Sequence, residues 1–248
     1  MKILFLDIES SPNTAHVWGL WQQNVSLNQL MESSYTLCYA AKWLGEKTLY
    51  FDSVYSTSPK TMLKRVWKLL DEADVVVHYN GTKFDIPTLQ KEFILYGMMP
   101  PAPYRQIDLL RVSRGQFRFP SNKLQYVATA LGLGGKVGHT GHTLWVQCMN
   151  KDADAWKKME VYNKRDVSLL EKVYKKMLPW IKNHPNRNLY DVHTGISRCS
   201  VCSSGNIQSR GVTQTKAHIY KRYQCTNCGS WLKGPLVERE KFLIAQAG

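Results

Sequence analysis

No apolar run in the 248-residue chain approaches the roughly 20 residues that a membrane-spanning helix needs. The N-terminal Met1-Lys2-Ile3-Leu4-Phe5-Leu6 meets an acid at Asp7, which cuts the apolar stretch too short for a signal peptide. A cytoplasmic protein is therefore expected. Internal repeats and low-complexity segments are also lacking. Acids are scarce: 19 Asp plus Glu against 33 Lys plus Arg leave a formal charge of +14 and a pI near 9.5. A surplus of that size implies a polyanion partner, because Lys and Arg release counterions from phosphates. With 44% hydrophobic and 21% charged residues the chain can build a core and is not globally disordered.

At about 150 residues per domain, the length suggests one to two domains. Residues 1–182 carry 24 basic and 16 acidic side chains, and residues 183–248 carry 9 and 3, so the tail is about twice as basic per residue. The polar stretch Asn183-His184-Pro185-Asn186-Arg187-Asn188 follows a helical pattern, and 183–195 reads as a linker to a small domain at 196–248. Within 1–182, strand-like segments are expected at 2–8, 35–43, 47–54 and 75–79. Helices are expected after Ser58-Pro59, over 86–96, after a Ser121 cap, and over about 153–178 with a possible break near Glu160. Residues 132–142 read as a glycine-rich loop, and its His139 and His142 are assigned no role. Cys38 and Cys148 read as core thiols. The mixture points to an α/β sheet with helices on its faces.

Against this background, certain carboxylates are badly placed for structure. Asp7 and Glu9 lie two apart on the first strand and point to one face, with no Lys or Arg between Ile3 and Ala15. Asp85 follows the second buried strand in Asn80-Gly81-Thr82-Lys83-Phe84-Asp85, where an N-cap would explain it equally well. Asp166 shares a helical face with Tyr162, Leu169, Val173 and Met177, an apolar stripe where an unpaired charge is costly. Asp108 has a structural reading. Carboxylates that converge without basic partners imply a divalent ion, and oxygen-only ligands favour Mg²⁺ or Mn²⁺. Two such ions about 4 Å apart suit phosphodiester hydrolysis.

The order Asp7-Ile8-Glu9, then Asn80 to Phe84-Asp85, then Tyr162-Asn163-Lys164-Arg165-Asp166 resembles the DEDD superfamily of 3′–5′ exonucleases, which have the RNase H-like fold. The resemblance covers about residues 1–180. It implies Asp7, Glu9, Asp85 and Asp166 as ligands of two Mg²⁺ or Mn²⁺ ions. It also implies Tyr162 as the residue that orients or helps deprotonate the attacking water, marking the tyrosine branch. Asn80 and Phe84 would contact the terminal nucleotide.

The tail carries a separate signal. Cys199-Ser200-Val201-Cys202 and Cys225-Thr226-Asn227-Cys228 read as a four-thiolate structural zinc site. So small a segment should need its metal to fold. It looks like a zinc ribbon. Between the knuckles, Arg210, Lys216, Tyr220, Lys221, Arg222 and Tyr223 mix cations with aromatics, as single-strand binders do.

The reading is an RNase H-like mixed sheet flanked by helices, followed by a zinc ribbon. Its expected activity is two-metal 3′–5′ exonucleolysis, with DNA favoured over RNA and a replication or repair protein as a possible partner. The alternatives are a structure-specific or RNA-directed endonuclease, and a non-catalytic adaptor that binds nucleic acid. A compact nuclease without a polymerase domain suits a phage or bacterial replication module.

Overall fold

In a computed structural model of the chain, residues 1–134, 141–190 and 197–237 are described. His139, linker positions 191–195, and the first residue (196) and the end (238–248) of the expected ribbon domain lie outside the described residues. The chain forms two compact units, Lys2–Tyr174 and 175–248.

The first unit runs β1 (Ile3–Ser10), β2 (Thr14–Ala15), β3 (Leu30–Glu32), β4 (Thr36–Trp43), β5 (Tyr50–Ser53), α1 (Pro59–Asp71), β6 (Val75–His78), α2 (Asp85–Leu95), β7 (Arg105–Asp108), α3 (Leu109–Gln116), α4 (Leu124–Ala130), α5 (His142–Met149) and α6 (Ala153–Met177). Five strands make a mixed sheet in the order β5-β4-β1-β6-β7. β1 pairs antiparallel with β4 and parallel with β6, whose other neighbour β7 is also parallel. β2 and β3 form a separate two-stranded ribbon in the excursion between β1 and β4.

Alternation along β1 decides what each face of the sheet holds. Leu4, Leu6 and Ile8 point to one side, into a cluster with Met62, Leu63 and Val66 of α1 and Leu89 and Phe93 of α2. Ile3, Phe5, Asp7 and Glu9 point to the other. There Phe5 meets Tyr174 of α6 edge-on at 5.3 Å between ring centroids. Leu37 and Cys38 of β4 pack with Leu144 and Cys148 of α5 and with Trp156 and Met159 of α6. Each such fully buried aliphatic side chain contributes about 1.5–3 kcal/mol. Two acids in the second half of β1 are therefore turned toward the helical layer made by α5 and α6.

Local chemistry sets the element ends. Ser58 caps α1, its hydroxyl accepting the Thr61 N–H at 3.2 Å, with Pro59 as the first helical residue. Asp108 caps α3, accepting from Leu110 at 3.0 Å. Three expectations are corrected. Ser121 is not a cap: α4 begins at Leu124, and the Ser121 hydroxyl takes only the Lys123 N–H. α6 is unbroken through Glu160, whose carboxylate pairs with Lys164 one turn later and adds modest support to the helix. His142 is not in a loop but opens α5, a helix too short to show a periodicity in the sequence.

The second unit holds β8 (Ile207–Gln214), β9 (Ile219–Cys225) and β10 (Trp231–Leu236) in an antiparallel sheet ordered β10-β9-β8. Its small core is Cys199, Val201 and Cys225, with Leu178, Ile207 and Leu232 packed around them. Among the described residues, no helix is long and apolar enough to cross a membrane.

Candidate active site and metal centre

β1 continues through Ser10, so Asp7 and Glu9 are strand residues and do not mark its end. Beyond Phe5, which faces Val77, β1 outruns its parallel partner β6. The backbone N–H of Ile8 is therefore left without a strand acceptor on that side. Asp85 supplies one: its Oδ1 accepts that N–H at 3.0 Å. Asp85 is not the cap of α2. Phe84 holds the cap position, and Asp85, 3% exposed, is the first helical residue. Its carboxylate is spent on the strand between the other two acids.

The turn that delivers Asp85 is built by close contacts. Asn80 has a left-handed backbone (φ +70°) and donates its N–H to Asp108 Oδ1 at 2.9 Å. Gly81 donates to His78 Nδ1 at 3.0 Å, and a Cβ there would stand 2.4 Å from His78 Cγ. Only glycine fits that position. Asp108 thus has the structural role expected of it. Phe84, 42% exposed, presents its ring directly before Asp85.

α6 brings Tyr162 and Asp166, with Leu169, Val173 and Met177 buried along the same stripe. Lys164 does not reach back to Asp166: it pairs with Glu160 and lies over the Phe51 ring. Two residues that the sequence reading passed over fix this helix against β1. Asn163, fully buried, donates from Nδ2 to Asp7 Oδ2 at 2.6 Å. Trp145 of α5 hydrogen-bonds Glu9 and sets its ring edge-on to Tyr162, with centroids 5.9 Å apart. Asn163 stands three residues before Asp166, a same-face spacing that could have been read. Trp145 lies on the helix that was not anticipated.

The electrostatics separate these acids from the structural ones. Asp52 accepts from Arg65 at 2.7 Å, Glu92 from the Thr36 N–H and hydroxyl, and Glu171 pairs with Lys42. No ion pair holds Asp7, Glu9 or Asp85 among the described residues. Burial raises Asp7 well above the carboxylate range, and Glu9, Asp85 and Asp166 raise it further against the Asn163 bond. Burial, then Asp166 and Asp85, push Glu9 up to about 8, with the Trp145 bond pulling down. Burial pushes Asp85 up to about 7 despite its backbone hydrogen bonds. The same burial and the nearby Asp166, Glu9 and Asp7 raise the Tyr162 phenol, whose hydroxyl is bonded to Asp166. Four acids from three distant segments thus share one field. Carboxylates crowded into such a field fit divalent cations, which reverse the local charge.

The cysteines form the second centre. Their four sulfurs all lie within 4.8 Å of one another, with Cys199 and Cys228 at 3.7 Å and Cys202 and Cys225 at 3.6 Å. A disulfide needs about 2.05 Å, so these are free thiols. Around a tetrahedral ion with sulfur at ~2.3 Å, neighbouring sulfurs stand about 3.8 Å apart, and the cluster fits zinc. The Val201 N–H and the Asn227 amide point at sulfur, as donors to thiolates should. Among the described residues no three carboxylates gather so tightly.

The remaining expected residues lie on the small sheet. Arg210 sits in β8 before the left-handed Gly211 (φ +76°), Lys216 in the following turn, and Tyr220, Lys221, Arg222 and Tyr223 on β9. Each of the six is exposed or half-buried.

A family model described as the RNase_H superfamily matches residues 4–178. Among solved structures, the family B DNA polymerase from the hyperthermophilic archaeon Pyrobaculum calidifontis is similar, with a TM-score of 0.56 and 16% identity. That match covers 72% of this chain and 24% of the polymerase chain, and at such identity the likeness is one of fold. No curated protein matches the chain.

Proposed function

The chain belongs to the RNase_H superfamily, and from that premise we propose that it is a metal-dependent 3′–5′ exonuclease acting on DNA ends. The observation that carries the reading is the shared field of Asp7, Glu9, Asp85 and Asp166, in which burial raises Asp7, Glu9 and Asp85 and the neighbouring acids raise Asp7 and Glu9 further. These four would hold two Mg²⁺ or Mn²⁺ ions. When bound, the ions supply Lewis-acid activation of a water and stabilisation of the leaving oxygen of a phosphodiester.

The protein's own groups do the rest. Asn163 fixes the Asp7 carboxylate, and Trp145 fixes Glu9 and the Tyr162 ring. Tyr162, its hydroxyl bonded to Asp166 and its ring set against Trp145, would orient or help deprotonate the attacking water. Phe84 offers a ring for the terminal base, and Asn80 frames the turn beneath it. A Cys₄ zinc site would hold the second unit folded.

The reading is tested with 3′- and 5′-labelled single-stranded, duplex and hybrid substrates in Mg²⁺, Mn²⁺ or chelator. Metal-dependent release of mononucleotides from the 3′ end is expected, and Asp7→Ala or Asp166→Ala should abolish it. Cleavage of circular DNA would replace this reading with an endonuclease. Absence of any cleavage in either metal would refute both.

A further inference from the structure

Between Asp191 and Glu238 the sequence contains no Asp or Glu. The described residues 197–237 of the second unit nevertheless carry six cations: Arg198, Arg210, Lys216, Lys221, Arg222 and Lys233. A sheet in this unit thus offers phosphate no repulsion, and the arrangement of its two faces is informative.

Alternation divides β9. Lys221, Tyr223 and Cys225 point one way, while Tyr220, Arg222 and Gln224 point the other. Cys225 is buried with Val201, Ile207 and Leu232, so the first set faces the sulfur core. Tyr223 is committed there. Its ring lies so close over Gly234 that a Cβ would stand 2.4 Å from Cε2. The outer face collects residues from β10 as well, because Trp231 stands opposite Gln224 and Lys233 opposite Arg222. Two rings and two cations therefore alternate across it. The Arg222 guanidinium lies 5.1 Å from the Trp231 ring centroid, and the Lys233 ammonium 4.4 Å from that of Tyr220. Trp231 is 56% exposed.

We propose that this outer face, formed by Tyr220, Arg222, Trp231 and Lys233, is a platform for single-stranded nucleic acid. Unpaired bases stack on the two rings, and the two cations meet the flanking phosphates. A duplex hides the faces of its bases, so only an unpaired strand can use the rings. The cations already rest over those rings in weak, exposed cation–π contacts. A stacking base takes the ring, and the displaced cation gains a phosphate. Trp231 and Lys233 lie beyond the second cysteine knuckle, outside the stretch that composition alone picked out. Lys221 and Tyr223, inside that stretch, face away. The platform is independent of cleavage, so it stands or falls separately from the exonuclease reading.

The zinc-loaded full chain in buffer free of Mg²⁺ and chelator is titrated against labelled oligo(dT), oligo(rU) and duplex DNA by fluorescence anisotropy. Trp231→Ala and Tyr220→Ala should each weaken binding of both oligomers about tenfold, while Trp231→Phe keeps most of the affinity. Duplex binding should change less than about twofold in the ring variants, since it rests on charge. Arg222→Ala should lower the salt slope by about one, and Trp231→Ala should leave it unchanged. Zinc content equal to wild type shows that a variant is folded. Should Trp231→Ala lose zinc, Tyr220→Ala and Lys233→Gln decide the matter. Wild-type single-strand affinity in the ring variants would overturn the platform. So would an equal loss on duplex, or a Lys221→Ala effect matching that of Arg222→Ala.

Discussion

The four cysteines fall within residues 199 to 228, whereas the four acids span residues 7 to 166. The thiols come from two knuckles joined by one hairpin, and they pack their sulfurs within 4.8 Å with little other core to help. The acids arrive on β1, at the start of α2 and on α6, and a full mixed sheet with helices on both faces is required to assemble them. In the first case the ligands make the fold. In the second the fold makes the ligands, at an electrostatic cost visible in the raised Asp7, Glu9 and Asp85. A metal should therefore be a condition of structure in one unit and a condition of activity in the other.

The largest effect expected is the loss of catalysis without loss of fold. Asp7→Ala or Asp166→Ala should reduce cleavage by at least about 10²–10³-fold, the scale of removing a preorganised charge. Far-ultraviolet circular dichroism should stay native, because the substitutions relieve repulsion. A collapsed spectrum would mean that the acids are structural after all. Zinc removal, or Cys225→Ser, should do the reverse. The second unit should lose its cooperative transition in calorimetry while the first melts as before. A single transition lost as a whole would break the contrast.

Tyr162→Phe should lower kcat about 10²-fold with divalent-ion affinity unchanged, the low end of what a positioned proton donor contributes. Calorimetric titration of the metal beside a rate measurement separates the two. The pH response comes next. Glu9 at about 8 and Asp85 at about 7 hold protons more tightly folded than unfolded, where 4.5 and 3.8 are ordinary. In the ion-free protein these two acids should thus contribute stability that is full below about pH 4 and lost as pH rises toward 8. Divalent ions need the ionised ligands, so the rise in Tm on adding Mn²⁺ should grow over the same interval. An ion-induced shift that is flat with pH would contradict the raised acids. Trp145→Phe should give the smallest effect. It keeps the ring against Tyr162 but removes the bond to Glu9, costing about 0.5–1.5 kcal/mol in denaturant unfolding.

Both candidate centres stand out in the sequence, though for different reasons. The cysteine spacing is local, and its geometry follows from a turn and a hairpin. The acids were legible because a carboxylate on an apolar strand or stripe contradicts its surroundings, and Asp7 and Asp166 stand out on that ground alone. The positioning residues were not legible. Asn163 and Trp145 look ordinary until α5 and α6 are laid over β1, since their partners lie 156 and 136 positions away in the chain. The Asp85 carboxylate likewise looked like a helix cap, because one sequence cannot show that β1 outruns β6 and leaves a donor open. On the small sheet, composition found the basic aromatic stretch, but strand register decides which side chains share a face.

That open donor has a consequence of its own. The Ile8 amide lies between two acids and is held by a third, so its proton senses the charge on Asp85 directly. In a nitrogen–proton correlation spectrum it should be a lone strand resonance that moves when the first divalent ion arrives. It would act as a built-in indicator that reports loading of the site before any substrate is present.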